Sequence, residues 1–226
     1  MPMDFEGCWH QALGVKSASR LTRSTLRSVL RRYREPQRHY HDLSHLDHVL
    51  SLAQQQTWTH PKDSLLTLFY HDAIYDPLRH DNEQQSAHLA DAQLSCWLTD
   101  SRIARIKGWI QATQQHQCPA DDRDLAQILD IDRAILAADP VAYQVYAAQI
   151  RQEYAHIEDD RFQYHRMAFL NQLLCRNRLF CTEILGADAE ACARHNIQAE
   201  LLMLKAQPML SHDRTTAERT LKPVMT

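Results

Sequence analysis

"DSLLTLFYHDAIYD", residues Asp63 to Asp76, decides the fold. Up to Tyr70 the stretch is apolar on most sides, the pattern of a helix placed in an interior. Pro61 precedes it and Pro77 closes it, as helix boundaries require. The run then ends in His71 and Asp72. A buried carboxylate is costly unless it is paired or bound to a cation. An adjacent imidazole and carboxylate near a helix end can aim one nitrogen and one oxygen at a single centre.

Outward from this stretch the pattern stays helical. On the N-terminal side, "RHYHDLSHLDHV" (Arg38 to Val49) holds four histidines and two aspartates in twelve residues. Leu43, Leu46, Val49, Leu50 and Ala53 recur there at three- and four-residue steps. Asp42 is placed to N-cap that helix. An earlier helix is expected around Thr22–Tyr33. On the C-terminal side, helices are expected from Asp81, Ser101 and Asp121. Another opens with Asp139 as cap and Pro140 in its first turn, and two more start at Asp159 and Asp188. Strand-like alternation is absent. The expectation is an all-α bundle of about nine helices in a single domain, 1–207. Residues 208–226 lose periodicity and gain Pro, Ser and Thr, so a loose C-terminal tail is expected.

Composition narrows the function classes. The 226 residues carry a net charge of -3 with histidine neutral. No broad basic field exists, which argues against long nucleic acid as a partner and leaves room for a small phosphorylated molecule. Only four glycines occur, against a glycine-loop nucleotide fold. No apolar run reaches membrane-spanning length, and the first residues do not read as a signal peptide. The six cysteines form no C-x-x-C pair and are expected to be reduced thiols of a cytoplasmic protein.

Histidine is the residue in excess, at fourteen copies. His45 is one helical turn before Val49, so one helix can present a ligand on one side and core on the other. Asp130 and Asp132, in "LDIDRA", interrupt an apolar stripe. Nitrogen and oxygen donors together suit a divalent cation such as Mn, Fe, Co, Ni or Zn.

The ordered set of H-x-x-x-V (His45, Val49), H-D (His71, Asp72) and a distant aspartate resembles the HD superfamily of metal-dependent phosphohydrolases. Asp132 fits the last element and Asp130 is the runner-up. "RHYHDLSHL", "FYHDAIYDP", "DNEQQSA", "LDIDRAIL" and "IRQEY" are similar to one branch, the bacterial predicted HD phosphohydrolases of about this length. The likeness runs from about Trp9 to Leu204. It implies one divalent ion (Mn, Fe, Co, Ni, Zn or Mg, with Mn or Fe favoured) held by His45, His71, Asp72 and Asp132. The implied reaction is hydrolysis of a phosphomonoester or nucleotide-like small molecule, with a homo-oligomer compatible with the pattern.

Alarmone hydrolases of the superfamily carry H-D-x-x-E-D. Here Asp76 occupies the final position and Tyr75 replaces the glutamate, a departure from strict alarmone hydrolysis. The resemblance thus makes Asp72 and Asp76 the catalytic candidates; for Asp76 a turn role before Pro77 competes. His41, Arg38, Glu83, His116 and Lys107 are candidates for binding substrate or supporting the ligands. His39 and His48 read as structural, and His88 as an exposed helical residue. Two other readings stand beside the hydrolase. One is a di-iron, oxygen-activating enzyme using His88 and His116 as extra ligands. The other is a non-catalytic, metal-stabilised nucleotide sensor.

Overall fold

The computed structural model describes residues 3–15 and 19–206; the expected tail, 208–226, lies outside the described residues. Every regular element among them is helical. The α-helices are α1 (Phe5–Leu13), α2 (Arg20–Arg32), α3 (Leu43–Ala53), α4 (Pro61–Tyr70), α5 (Asn82–Leu94), α6 (Asp100–Ala112), α7 (Arg123–Asp132), α8 (Pro140–Glu153), α9 (Asp159–Leu174) and α10 (Ala189–Ala206), with a 3₁₀ turn at Ala134–Ala137. The all-α expectation holds. The added helix is α1, which Asp4 caps at its start and Gly14, at φ +73°, at its end. Asp42 caps α3 and Asp139 caps α8 through their side chains, as expected. No described helix is long and apolar enough to cross a membrane. Cys8, Cys96, Cys175 and Cys192 carry free thiols. Cys118 and Cys181 are disulfide-bonded, against the expectation of six reduced thiols.

Contacts divide the described residues into two compact units, one ending at Asp132 and one beginning at Arg133. In the first, α4 is the interior helix that its sequence calls for. Every residue from Asp63 to Tyr70 is buried, and α4 packs against α1, α3, α5, α6 and α7. Trp9 of α1 meets Phe69 edge-on at 5.1 Å.

Two carboxylates fix the start of α4. The helix has no side-chain cap of its own. Asp124 of α7 accepts instead from the N–H groups of Thr59 and His60, at 2.9 and 2.6 Å, satisfying donors that the helix start leaves open. Buried Asp63 is held by Arg102 and Arg105 of α6, each at 2.6 Å. These contacts fix the first turn of α4, at the end of the helix away from His71.

In the second unit, α10 packs on the 3₁₀ turn, α8 and α9. Asn196 donates to the carbonyls of Leu136 and Ala138 at 2.9 and 2.8 Å, pinning that turn. Arg166 of α9 and Glu200 of α10 form a buried pair, Nε to Oε1 at 2.8 Å.

Candidate metal centre

His45 projects from the first turns of α3, whose start is set by the Asp42 cap. His71 ends α4, Asp72 follows it, and Asp132 ends α7. One donor atom from each of the four lies within 4.8 Å of every other. His45 Nε2 and His71 Nε2 are 3.1 Å apart. Asp72 Oδ2 lies 3.6 Å from His45 Nε2 and 3.2 Å from His71 Nε2. Asp132 Oδ1 lies 3.5 and 3.2 Å from the same two nitrogens.

These spacings fit a common ion. Bonds of about 2.1 Å separate neighbouring donors by about 3.0 Å at right angles and about 3.4 Å in a tetrahedron. The four residues can hold a metal ion, and the two-nitrogen, two-oxygen set suits a first-row divalent cation. Asp132, not Asp130, supplies the oxygen; Asp130 is fully buried and outside the set.

Groups behind the donors orient them. His71 Nδ1 lies 2.8 Å from the Leu68 carbonyl. A carbonyl only accepts, so Nδ1 carries a proton and Nε2 is the nitrogen left to face the centre. His116 Nε2 lies 2.8 Å from Asp132 Oδ2, the oxygen that the cluster does not use. His116 is buried and sits at φ +48°, left-handed backbone that a non-glycine residue rarely adopts. Packing therefore holds it against a backbone preference, beside Asp132. His45 Nδ1 is buried without a hydrogen-bond partner. Its ring is set by packing, with Tyr40 at 5.0 Å and His41 at 5.7 Å.

Electrostatics show the same demand for positive charge. Burial acts to lower the His71 pKa, yet the adjacent Asp72 carboxylate, with Tyr33 and Asp132, holds it well above the usual histidine value. Asp72 and Asp132 are both pulled below the usual carboxylate range against their burial, chiefly by His71. A proton thus serves the cluster as cation. Glu83, in the first turn of α5, is pushed up by burial and by the charges of Asp72 and Asp132. The imidazoles form the closed back of the cluster, with side chains 2 % and 1 % exposed; the carboxylates, at 17 % and 13 %, form its open side.

The other sequence-selected residues divide. His41 is buried and stacks on Tyr75 at 4.1 Å, beside the cluster. The Arg38 guanidinium is buried and directed at backbone carbonyls. Asp76 Oδ1 accepts from the Leu78 N–H at 2.9 Å, the side-chain turn that its place before Pro77 suggested. Lys107 Nζ lies 2.6 Å from Asp91 Oδ2 and ties α6 to α5. His88 is exposed, as expected, and lines a cleft of about 530 Å³ that includes Tyr75 and Asp76 but none of the four ligand candidates.

Two supporting residues escaped the sequence reading. Asn82 exchanges hydrogen bonds with the Asp76 backbone at 3.1 and 2.9 Å. Ser86 Oγ accepts from the Ile74 N–H at 3.0 Å. Together they pin the segment after His71-Asp72 to α5. Their position in "DNEQQSA", one turn apart on one helix face, was the available signal.

No family model, no curated protein and no solved structure matches this chain.

Proposed function

We propose that this protein is a metal-dependent phosphohydrolase acting on a phosphomonoester or nucleotide-like small molecule. His45, His71, Asp72 and Asp132 are its ligands to one divalent ion, with Mn or Fe favoured. The observation that carries the reading is the convergence of two imidazole nitrogens and two carboxylate oxygens, from three helix-borne segments, at ligand-shell spacing. A bound divalent ion supplies a water of lowered pKa and a Lewis acid for a phosphoryl oxygen.

The chain's own groups do the rest. The carboxylates, more exposed than the imidazoles, are the members of the set that a substrate would meet first. Asp72 orients the attacking water from the carboxylate side. His116 keeps Asp132 in place by donating to Oδ2. Glu83, close enough to feel the charges of Asp72 and Asp132, is a further carboxyl group near the cluster. Asp76 is employed in its turn, and we assign it no proton transfer.

The test combines metal quantification with a panel of chromogenic phosphates and nucleotides supplied with Mn²⁺. The expected result is one equivalent of divalent ion and turnover of at least one phosphate ester. His71→Ala should lose both, with metal affinity down by more than about 100-fold, beyond the usual effect of an outer partner. Failure to bind Mn, Fe, Co, Ni or Zn would remove the centre altogether. Tight nucleotide binding with no turnover, altered by Asp72→Ala only in affinity, would make the protein a sensor instead.

A further inference from the structure

We propose that Arg38 is a positioning residue of this centre, a buried fork that holds the His45-bearing and Asp72-bearing segments in register. The inference rests on the metal-centre reading above. Arg38 Nη1 donates to the carbonyls of His41 at 3.0 Å and Asp72 at 2.7 Å, and Nη2 donates to that of Ala73 at 3.1 Å. The first carbonyl belongs to the residue just before the Asp42 cap of α3, the helix that presents His45. The other two belong to a ligand candidate and its neighbour, directly after α4. One planar group therefore spans both segments.

Burial of the side chain is complete at 0 % exposure. A buried charge is tolerated only where it is satisfied. Here the carbonyls beyond the C-terminus of α4 favour a cation, and the rings of Tyr33 and Tyr75 lie 5.1 and 5.5 Å from the guanidinium carbon. Tyr75 also stacks on His41, closing the path back to the cluster. Contact with Glu35 is longer, at 3.4 Å, and that carboxylate is more open to solvent. Lysine would keep the charge but not the planar fork, so it cannot hold three fixed carbonyls at once.

The consequence is mechanical. Asp72 reaches the centre through a backbone that Arg38 grips at its own carbonyl, and His45 through a helix whose entry Arg38 grips. Loss of the fork lets the two segments drift apart, and metal affinity falls by the roughly 10–100-fold typical of outer-partner loss.

The experiment measures Co²⁺ and Mn²⁺ affinity by chelator competition, the visible spectrum of bound Co²⁺ at saturating metal, and metal-free melting. The proteins are wild type, Arg38→Lys, Arg38→Gln and Arg102→Met. The last breaks an ion pair at the opposite end of α4 and serves as the purely structural control. Two fork variants are used so that one which misfolds does not leave the question unanswered. The expected result is 10–100-fold weaker metal binding and an altered Co²⁺ spectrum for the folded Arg38 variants, with Arg102→Met binding like wild type. Arg38 variants with wild-type affinity and spectrum would overturn the proposal and leave the metal centre standing. Equal weakening in Arg102→Met, in step with melting temperature, would reduce Arg38 to a general staple. A wild-type protein that binds neither ion would overturn the metal-centre reading, and this proposal with it.

Discussion

Each unit of the protein buries a set of charged groups, and the two sets are built differently. In the second unit the set is closed. Arg166 meets Glu200 through two bonds, Nε to Oε1 at 2.8 Å and Nη2 to Oε2 at 3.1 Å. Tyr143 donates to the same carboxylate at 2.6 Å. Cation and anion come from the chain itself, and the Tyr146 and Phe169 rings lie 5.3 and 5.6 Å from the guanidinium. In the first unit the set is open. Two carboxylates and two imidazoles turn lone pairs towards one point, and the positive charge they require is a titrating proton or an ion from outside. A cluster that neutralises itself does a structural job. A cluster of converging acceptors can hold a metal ion.

Breaking the closed pair should have the largest effect on stability. Arg166→Met leaves Glu200 buried without its cation, and removal of one partner of a buried pair typically costs about 3–5 kcal/mol. Chemical denaturation should report a loss of that size, the same with and without added divalent metal. The open cluster should behave in the opposite way, its variants being most visible when metal is present. If Arg166→Met instead lost metal affinity beyond what its stability explains, the division of labour between the two sets would fail.

The open cluster should also carry the stronger pH signature. His71 has a folded-state pKa raised well above the ordinary 6.5. Its contribution to metal-free stability is therefore full below pH 6.5 and is lost as pH rises through the raised value. The slope is at most about 1.4 kcal/mol per pH unit for one proton. Metal binding needs that proton gone, so affinity should rise over the same interval. Thermal melting from pH 6 to 9 should show the metal-free protein weakening while the metal-loaded protein holds or gains. Parallel curves would mean that no ion replaces the proton.

How much of this was legible beforehand follows from the same contrast. The interior position of α4 was readable because an all-round apolar helix has only one place to go. Asp72 was readable because a carboxylate at the end of an apolar run demands a reason; Asp130 and Asp132 interrupt their apolar stripe alike, and only the resemblance ranked Asp132 first. Arg166 and Glu200 were not, because each is a single charge on a separate helix and only tertiary packing joins them. The clamp at Arg38 was unreadable in kind. The sequence marks the residue as near the motifs, but backbone carbonyls leave no trace in residue identity. The Asp124 cap of α4 is the same case, supplied from a helix more than sixty residues away. Asp76 was ambiguous for a local reason, since Asp-Pro opens turns as readily as an aspartate lines a site. Nor does helical periodicity mark the division after Asp132, where "LDIDRAIL" reads as one continuous pattern.

The smallest expected effect provides the cleanest test of where the open cluster ends. Sequence proximity made Lys107 a candidate for holding phosphate, while the structure gives its ammonium to Asp91 on the outside of the α5–α6 pair. Both side chains are substantially exposed, at 30 % and 40 %. A pair of this kind contributes about 0–1 kcal/mol, screened further by salt. Lys107→Ala should therefore change stability by less than about 1 kcal/mol and leave metal affinity, and under the proposed function the KM for a phosphate ester, as they were. Steady-state kinetics at low and physiological ionic strength distinguish the cases. A rise in KM with kcat unchanged would mean that Lys107 leaves Asp91 to meet the substrate. The site would then extend past the His-Asp cluster to the outer face of α6. An unchanged KM confines recognition to groups already at the carboxylate side, with His41 and Glu83 the nearest to probe next.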